Sequence, residues 1–349
     1  MRAADWIKAS VLLMVDCVTL CGCASISAPS TMRPPQPLPA ELQQYYSFQP
    51  ITAPPLVRHT KNHSDYTVRE LALTPPESPS EPIQLLWFAP ATLRPSPLIL
   101  ISPISGSNRL IVDDFARRFA INGYHAVIVS KPKRHKNPEA PLAYCEEFLR
   151  AAVIRNRQTL DWLVKQPGID PARIGTMGVS YGAIINAATA AVEPRARCHL
   201  FALGGGPLHD VIMDSVEPGL RRDRQRARAQ ENLTRRELHR QLRAIIRTDP
   251  VLLAKYVDGK EVLMVIALFD RSVGTDNSLA LWHALGRPEA MFVPLGHYTT
   301  FLELPYLKFR AMEFFHEKLG GPPLAGNLGF IYTRPTAKSA TETPAAPSP

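Results

Sequence analysis

The chain has 349 residues, 45% hydrophobic and 20% charged, with a formal net charge of +9. This bounds it to one globular domain of about 250 residues with flexible ends. No internal repeat and no nucleic-acid-binding motif accompanies the positive charge, which argues against a nucleic-acid partner.

Residues 1–22 do not read as part of a fold. Arg2 and Lys8 give a basic start, Ala9 to Leu20 is mostly apolar, and Asp16 interrupts the run. That run is too short to span a bilayer, as in a cleaved export signal. A plain amino-terminal helix or a simple cleaved signal is the alternative. Leu20-Cys21-Gly22-Cys23 resembles the lipobox of bacterial lipoproteins. The resemblance implies a mature chain that starts at a lipidated Cys23, held to the membrane by more than one acyl chain. Ala24 after the cysteine implies the outer membrane. The expected location is thus the bacterial cell envelope, facing the periplasm. Residues 23–60 carry Pro29, Pro34, Pro35, Pro37, Pro39, Pro50, Pro54 and Pro55 and read as an extended, Pro-rich tether. Beyond the signal and Cys23, only Cys145 and Cys198 remain, and a disulfide between them is open in an oxidising compartment. No Cys-x-x-Cys or His-x-x-x-His spacing suggests a metal.

The domain is expected over 61–320. Tyr66 to Leu73 and Pro82 to Pro90 read as two opening antiparallel strands. Pro97 to Ser102 is a buried strand, Asp113 to Asn122 an amphipathic helix, Tyr124 to Ser130 a strand, and Ala143 to Lys165 a long helix. Ala172 to Met177 is a short buried strand and Ala183 to Val192 an Ala-rich helix. Between these two lies Gly178-Val179-Ser180-Tyr181-Gly182, a Gly-x-Ser-x-Gly motif on a strand-to-helix turn. Such a turn lifts the serine out of the sheet, and its glycines avoid clashes with neighbouring backbone. The Tyr181 N–H is then placed to serve as half of an oxyanion hole.

His199 to Leu203 is a further strand. Residues 204–259 then break the alternation with mostly helical sequence, at the place expected of a helical lid insertion. Ten arginines fall there, from Arg221 to Arg247. They read either as a solvated face or as a cationic rim for anionic substrates or headgroups. Glu261 to Leu268 is a buried strand with Asp270 just past its C-terminal end, where open α/β sheets carry their chemistry. Asp276, six residues on, reads as the N-cap of a helix over 277–285. Ala290 to Pro294 is the last strand, and Gly296-His297 follows it. A serine nucleophile needs a base, and the base a third group to orient it. Ser180, Asp270 and His297 supply these in order. His283 and His316 fall in helices, and His209 at a turn or helix start. Residues 321–349 form a tail, Thr/Ala/Pro-rich from about 336.

Ser180, Asp270 and His297 together resemble the α/β-hydrolase superfamily, in particular the dienelactone-hydrolase and prolyl-oligopeptidase-like esterases. Asp161-Trp162-Leu163, Ile169 to Gly175, Asp270 with Val273, and Gly296-His297 match the pattern of that branch, over about residues 65–319. The resemblance implies an α/β-hydrolase fold: a mostly parallel sheet flanked by helices. It implies a serine hydrolase, most simply a carboxylic ester hydrolase, that needs no cofactor. A second oxyanion donor is implied in the loop after Ser102, at the backbone N–H of Ile104 or Ser105; this loop lacks the His-Gly found in many relatives. The implied substrate is a small-molecule or polymer-borne ester. A serine peptidase or acyltransferase with the same triad stays open, as does a non-catalytic envelope binding protein.

Overall fold

The computed structural model describes residues 24–25, 31–92, 94–106, 109–133 and 143–320. Residues 1–22, read above as a signal, Cys23 and residues 321–349 lie outside these. One mixed sheet organises the described chain. Its strands are β1 (Ala24–Ser25), β2 (Leu56–Asn62), β3 (Tyr66–Leu73), β4 (Ile83–Pro90), β5 (Ser96–Ser102), β6 (His125–Val129), β7 (Ile169–Val179), β8 (Cys198–Ala202), β9 (Val262–Ala267) and β10 (Glu289–Val293), in the spatial order β1-β10-β9-β8-β7-β5-β6-β4-β3-β2. From β10 to β6 all neighbours are parallel. β4, β3 and β2 continue the sheet antiparallel, and β1 pairs antiparallel with β10 at the other edge.

The parallel strands are apolar on both faces because helices cover both. In β9, Val262, Met264 and Ile266 join one core cluster while Leu263, Val265 and Ala267 join the other. This is the two-residue period of a strand acting on a sequence with no polar face. The first cluster holds the helix Tyr181–Val192 and Trp282; the second holds Phe115, Phe119 and Phe315 from the helices Leu110–Ile121 and Leu304–Leu319.

Three features differ from the sequence reading. The supposed tether lies on the body in its described residues: Ala24–Ser25 pair with β10, and the stretch from residue 31 packs as well. Its helix α1 (Ala40–Tyr45) leads into Tyr46, which is fully buried with its hydroxyl 2.9 Å from Thr248 Oγ1. Arg150 and Arg157 donate to the carbonyls of Tyr45 and Tyr46 at 2.6 Å. The buried Glu146 accepts from the Tyr45 hydroxyl and from the N–H groups of Arg247 and Thr248. Prolines set an extended path, but the aromatic pair between them decides where it lies. Second, β2 extends the sheet from within that stretch, on an edge exposed along its whole length. Third, Asp276 is not an N-cap: Gly274, at φ 96°, holds that position, and the helix starts at Thr275. No disulfide joins Cys145 and Cys198.

Two histidines are buried in the sheet. His125 accepts from Trp87 Nε1 at 3.1 Å and its Nε2 lies 2.8 Å from the Gly168 carbonyl; His199 Nδ1 lies 2.8 Å from Thr176 Oγ1. Burial lowers His125 to about 4 and His199 to about 3. A histidine of this kind stays neutral in the fold while the unfolded chain takes up a proton below about pH 6.5, so stability falls as pH falls through that range. Between pH 6 and 5 each should contribute a loss of about 1 kcal/mol per pH unit. Urea unfolding of His199→Gln should show a correspondingly shallower pH slope. An unchanged slope would mean that His199 is already protonated in the native state.

Candidate active site

The C-terminal ends of the parallel strands bring the three nominated side chains together. Ser180 stands between β7 and the helix α4 (Tyr181–Val192) with φ 57° and ψ −123°, a conformation that costs about 1–3 kcal/mol for a residue with a side chain. The surrounding backbone imposes it. The Ser180 N–H donates to Ala202 O at 2.8 Å, and its carbonyl accepts from Ala183 and Ile184. A Cβ at Gly178 would lie 2.1 Å from Gly182 O, and one at Gly182 would lie 2.3 Å from Ser102 O. Only glycine allows β5, β7 and α4 to approach this closely.

His297 Nε2 lies 2.9 Å from Ser180 Oγ, and His297 Nδ1 lies 2.7 Å from Asp270 Oδ2. A neutral ring protonated on Nδ1 donates to the carboxylate and accepts the serine hydroxyl. Asp270 and His297 are both buried. Burial alone would raise the Asp270 carboxyl, but the hydrogen bond from His297, with the N–H groups of Val273 and Ser272, holds it below its ordinary value. Ser272 N and Val273 N reach Asp270 Oδ1 at 2.7 and 2.9 Å. Oδ1 is thus engaged by its own turn and Oδ2 is left to the histidine. The His297 loop is closed by Thr299 and Thr300, which bond the Gly296 N–H and carbonyl. Asp276 lies in the first turn of the helix Thr275–Ala284, with no described hydrogen bond to His297. His283 and His316 are also in helices.

The loop after β5 faces the serine. Ser105 and Gly106 line the same cavity as Ser180 and Tyr181, whereas the Ile104 side chain packs against the core. Lys131, just beyond β6, donates to the carbonyls of Ile104 and Gly106 at 3.0 and 2.8 Å and to that of Ser105. In a trans peptide the N–H points opposite the carbonyl. Lys131 therefore turns the N–H groups of Ser105 and Gly106 to the other side of the loop. Lys131 and Gly106 were missed in the sequence; the one signal for Lys131 is its place just past the C-terminal end of a parallel strand. Glu217 was missed as well. It accepts from Ser272 Oγ and from the Tyr298 hydroxyl at 2.7 Å, so it joins the loops that carry Asp270 and His297.

Residues 204–259 form α5 (Leu208–Asp214), α6 (Pro218–Gln230), α7 (Arg235–Ile245) and α8 (Pro250–Leu253). The first three wall a cavity of about 780 Å³ that opens on Ser180. Several arginines here hold backbone: Arg224 donates to Ile212 O and Ser215 O, Arg228 to Leu233 O, and Arg235 to Met213 O and Asp214. Arg221, Arg222, Arg226 and Arg236 are exposed. Among the described residues one group could ligate a cation. His209, Asp210 and His239 bring ligand atoms within 4.8 Å of one another, with His239 Nε2 2.7 Å from Asp210 Oδ1. That contact ties α5 to α7.

No protein-family model and no curated protein matches the chain. Solved structures do. An acetyl xylan esterase from Paenibacillus sp. R4 superposes with a TM-score of 0.63 at 16% identity, over 80% of this chain and 92% of that one. Acetyl xylan esterase 1 from Thermoanaerobacterium sp. JW/SL YS485 gives 0.59 at 19% identity, over 82% and 96%. The α/β hydrolase GrgF from Penicillium sp. sh18 gives 0.53 at 14% identity, over 72% and 98%. The chain has the α/β-hydrolase fold. At these identities the fold is what the α/β-hydrolase neighbours share with it.

Proposed function

We propose that the chain is a serine hydrolase of carboxylic esters that works through an acyl-enzyme. The observation that carries this reading is the unbroken hydrogen-bonded chain Ser180–His297–Asp270 at the mouth of a cavity. The esterase names of its structural neighbours support it.

Ser180 Oγ attacks the ester carbonyl carbon while His297 Nε2 takes the hydroxyl proton. Asp270 holds the ring in the Nδ1–H tautomer and stabilises the imidazolium. The Tyr181 N–H and an N–H of the Lys131-braced loop, at Ser105 or Gly106, hold the negative oxygen of the tetrahedral intermediate. Collapse breaks the C–O bond to the alcohol, which leaves with the proton from His297. Water then repeats the sequence on the acyl-enzyme: His297 takes its proton, the hydroxyl adds to the acyl carbon, and Ser180 departs with the proton. None of these steps needs a cofactor.

Ser180→Ala should lower kcat for 4-nitrophenyl ester hydrolysis by roughly a million-fold. Asp270→Asn should cost about four orders of magnitude, and Asp276→Asn less than tenfold. Steady-state kinetics on variants with native circular dichroism decides this. Activity within tenfold of wild type in Ser180→Ala would falsify the assignment of the nucleophile, and a larger loss in Asp276→Asn than in Asp270→Asn would reassign the acid.

We further propose that lipidated Cys23 anchors the chain to the bacterial envelope. Its support is the lipobox-like Leu20-Cys21-Gly22-Cys23. Because Ala24 and Ser25 already pair with β10, a lipid on Cys23 would be attached next to that edge of the sheet. The body would then lie close to the bilayer rather than at the end of a long tether. When the full chain is expressed in a bacterium, Cys23→Ser should move it from the membrane to the soluble periplasmic fraction. Unchanged fractionation would count against lipidation.

A further inference from the structure

The cavity beside Ser180 has a chemistry of its own. One wall is aromatic. Tyr144 and Phe148 lie one turn apart on α3 (Ala143–Leu163), and their rings are 5.7 Å apart. The Phe148 ring is 5.7 Å from that of Tyr181, the residue after the nucleophile. Ile184 extends this wall from α4, and Ile212 and Leu220 face it from α5 and α6.

The charged groups in the lining are largely engaged by protein. The Lys131 ammonium is held by three carbonyls of the loop after β5. Glu217 is held by Ser272 and Tyr298, and Arg224 by the carbonyls of Ile212 and Ser215. Arg226, exposed, and Asp223 lie on the cavity side of α6. With Gln230 they form a polar strip along that helix. Away from that strip a hydroxylated or charged substituent would find few partners, and buried polar groups need them. An apolar substituent would find rings and branched carbons. At about 780 Å³ the cavity falls in the range that holds whole ligands, roughly 300–1,000 Å³. An acetyl group would leave it nearly empty.

Resting on the esterase reading above, we propose that the substrate is an ester bearing an extended apolar chain, and that this chain lies in the cavity between α3, α4 and α6. The chemistry is the same whether the chain belongs to the acid or to the alcohol.

Two substrate series test the idea on the full-length protein. One varies the acyl group of 4-nitrophenyl esters from acetate to dodecanoate. The other varies the alcohol of alkyl acetates over the same lengths. A buried methylene is worth roughly fourfold. In one of the series kcat/KM should therefore rise at least tenfold from the two-carbon to the eight-carbon member, and the series that rises assigns the chain to the acid or to the alcohol. Gly219 supplies the blocking variant. It sits in the first turn of α6 on the cavity wall, and a Cβ there would meet nothing within 4 Å. Gly219→Phe should lower the eight-to-two-carbon ratio of kcat/KM at least tenfold, and Leu220→Asp should lower it in the same direction by charging the wall. Hydrolysis that is fastest for the two-carbon member of both series, with a ratio that neither variant changes, would overturn the proposal and leave the esterase reading standing. No hydrolysis of any ester by the wild-type protein would overturn both.

Discussion

Three backbone segments meet at Ser180 with no room for a side chain between them. The end of β5, the end of β7 and the first turn of α4 are so close that a methyl group at Gly178 or Gly182 would collide with carbonyl backbone at little over 2 Å. This contact holds Ser180 at a positive φ and aims its hydroxyl out of the sheet. It also brings the loop after Ser102 up to the serine, since the carbonyls of Ser102 and Pro103 are what a Cβ at Gly182 would strike. Ser180 and this loop are thus set by one packing event, and the helix Tyr181–Val192, almost wholly buried, keeps it from relaxing.

The other two residues are placed by different means. Asp270 and His297 sit on turns past β9 and β10, parallel neighbours in the sheet, and the Phe269 N–H bonds the Leu295 carbonyl. The carboxylate is oriented by backbone N–H groups of its own turn, so only one oxygen is available to the imidazole. A carboxylate held ionised in this way keeps its partner ring in a single tautomer, which a general base requires. Glu217 binds both turns from the start of α6. The helices that wall the cavity are therefore coupled to the turns that carry Asp270 and His297.

Much of this was legible in the sequence. Strand-like runs with no polar face announce buried parallel strands, and the residues just past their ends carry the chemistry; that reasoning reached Ser180, Asp270 and His297 without coordinates. It failed where the deciding contacts are long-range. The Pro-rich stretch reads as a tether because proline content is a local signal. Its docking depends on Tyr45 and Tyr46 meeting Glu146 and Thr248, about 100 and 200 residues away. Lys131 was invisible for a similar reason: a lone lysine after a strand has no pattern, and its role emerges only when three carbonyls of a loop 25 to 27 residues earlier converge on it. Asp276 was misread by two positions, because Gly274 can adopt a φ of 96° and takes the cap position itself.

The most direct test is to find where a serine-reactive phosphonate lands. The folded full-length chain would be treated with a fluorophosphonate, digested with trypsin and analysed by mass spectrometry, with an acid-unfolded sample as control. Expected is one adduct per chain, on the peptide spanning 174–195 and localised to Ser180, absent from the unfolded control. An adduct on a different residue, or ester hydrolysis by protein whose Ser180 stays unmodified, would contradict Ser180 as the nucleophile.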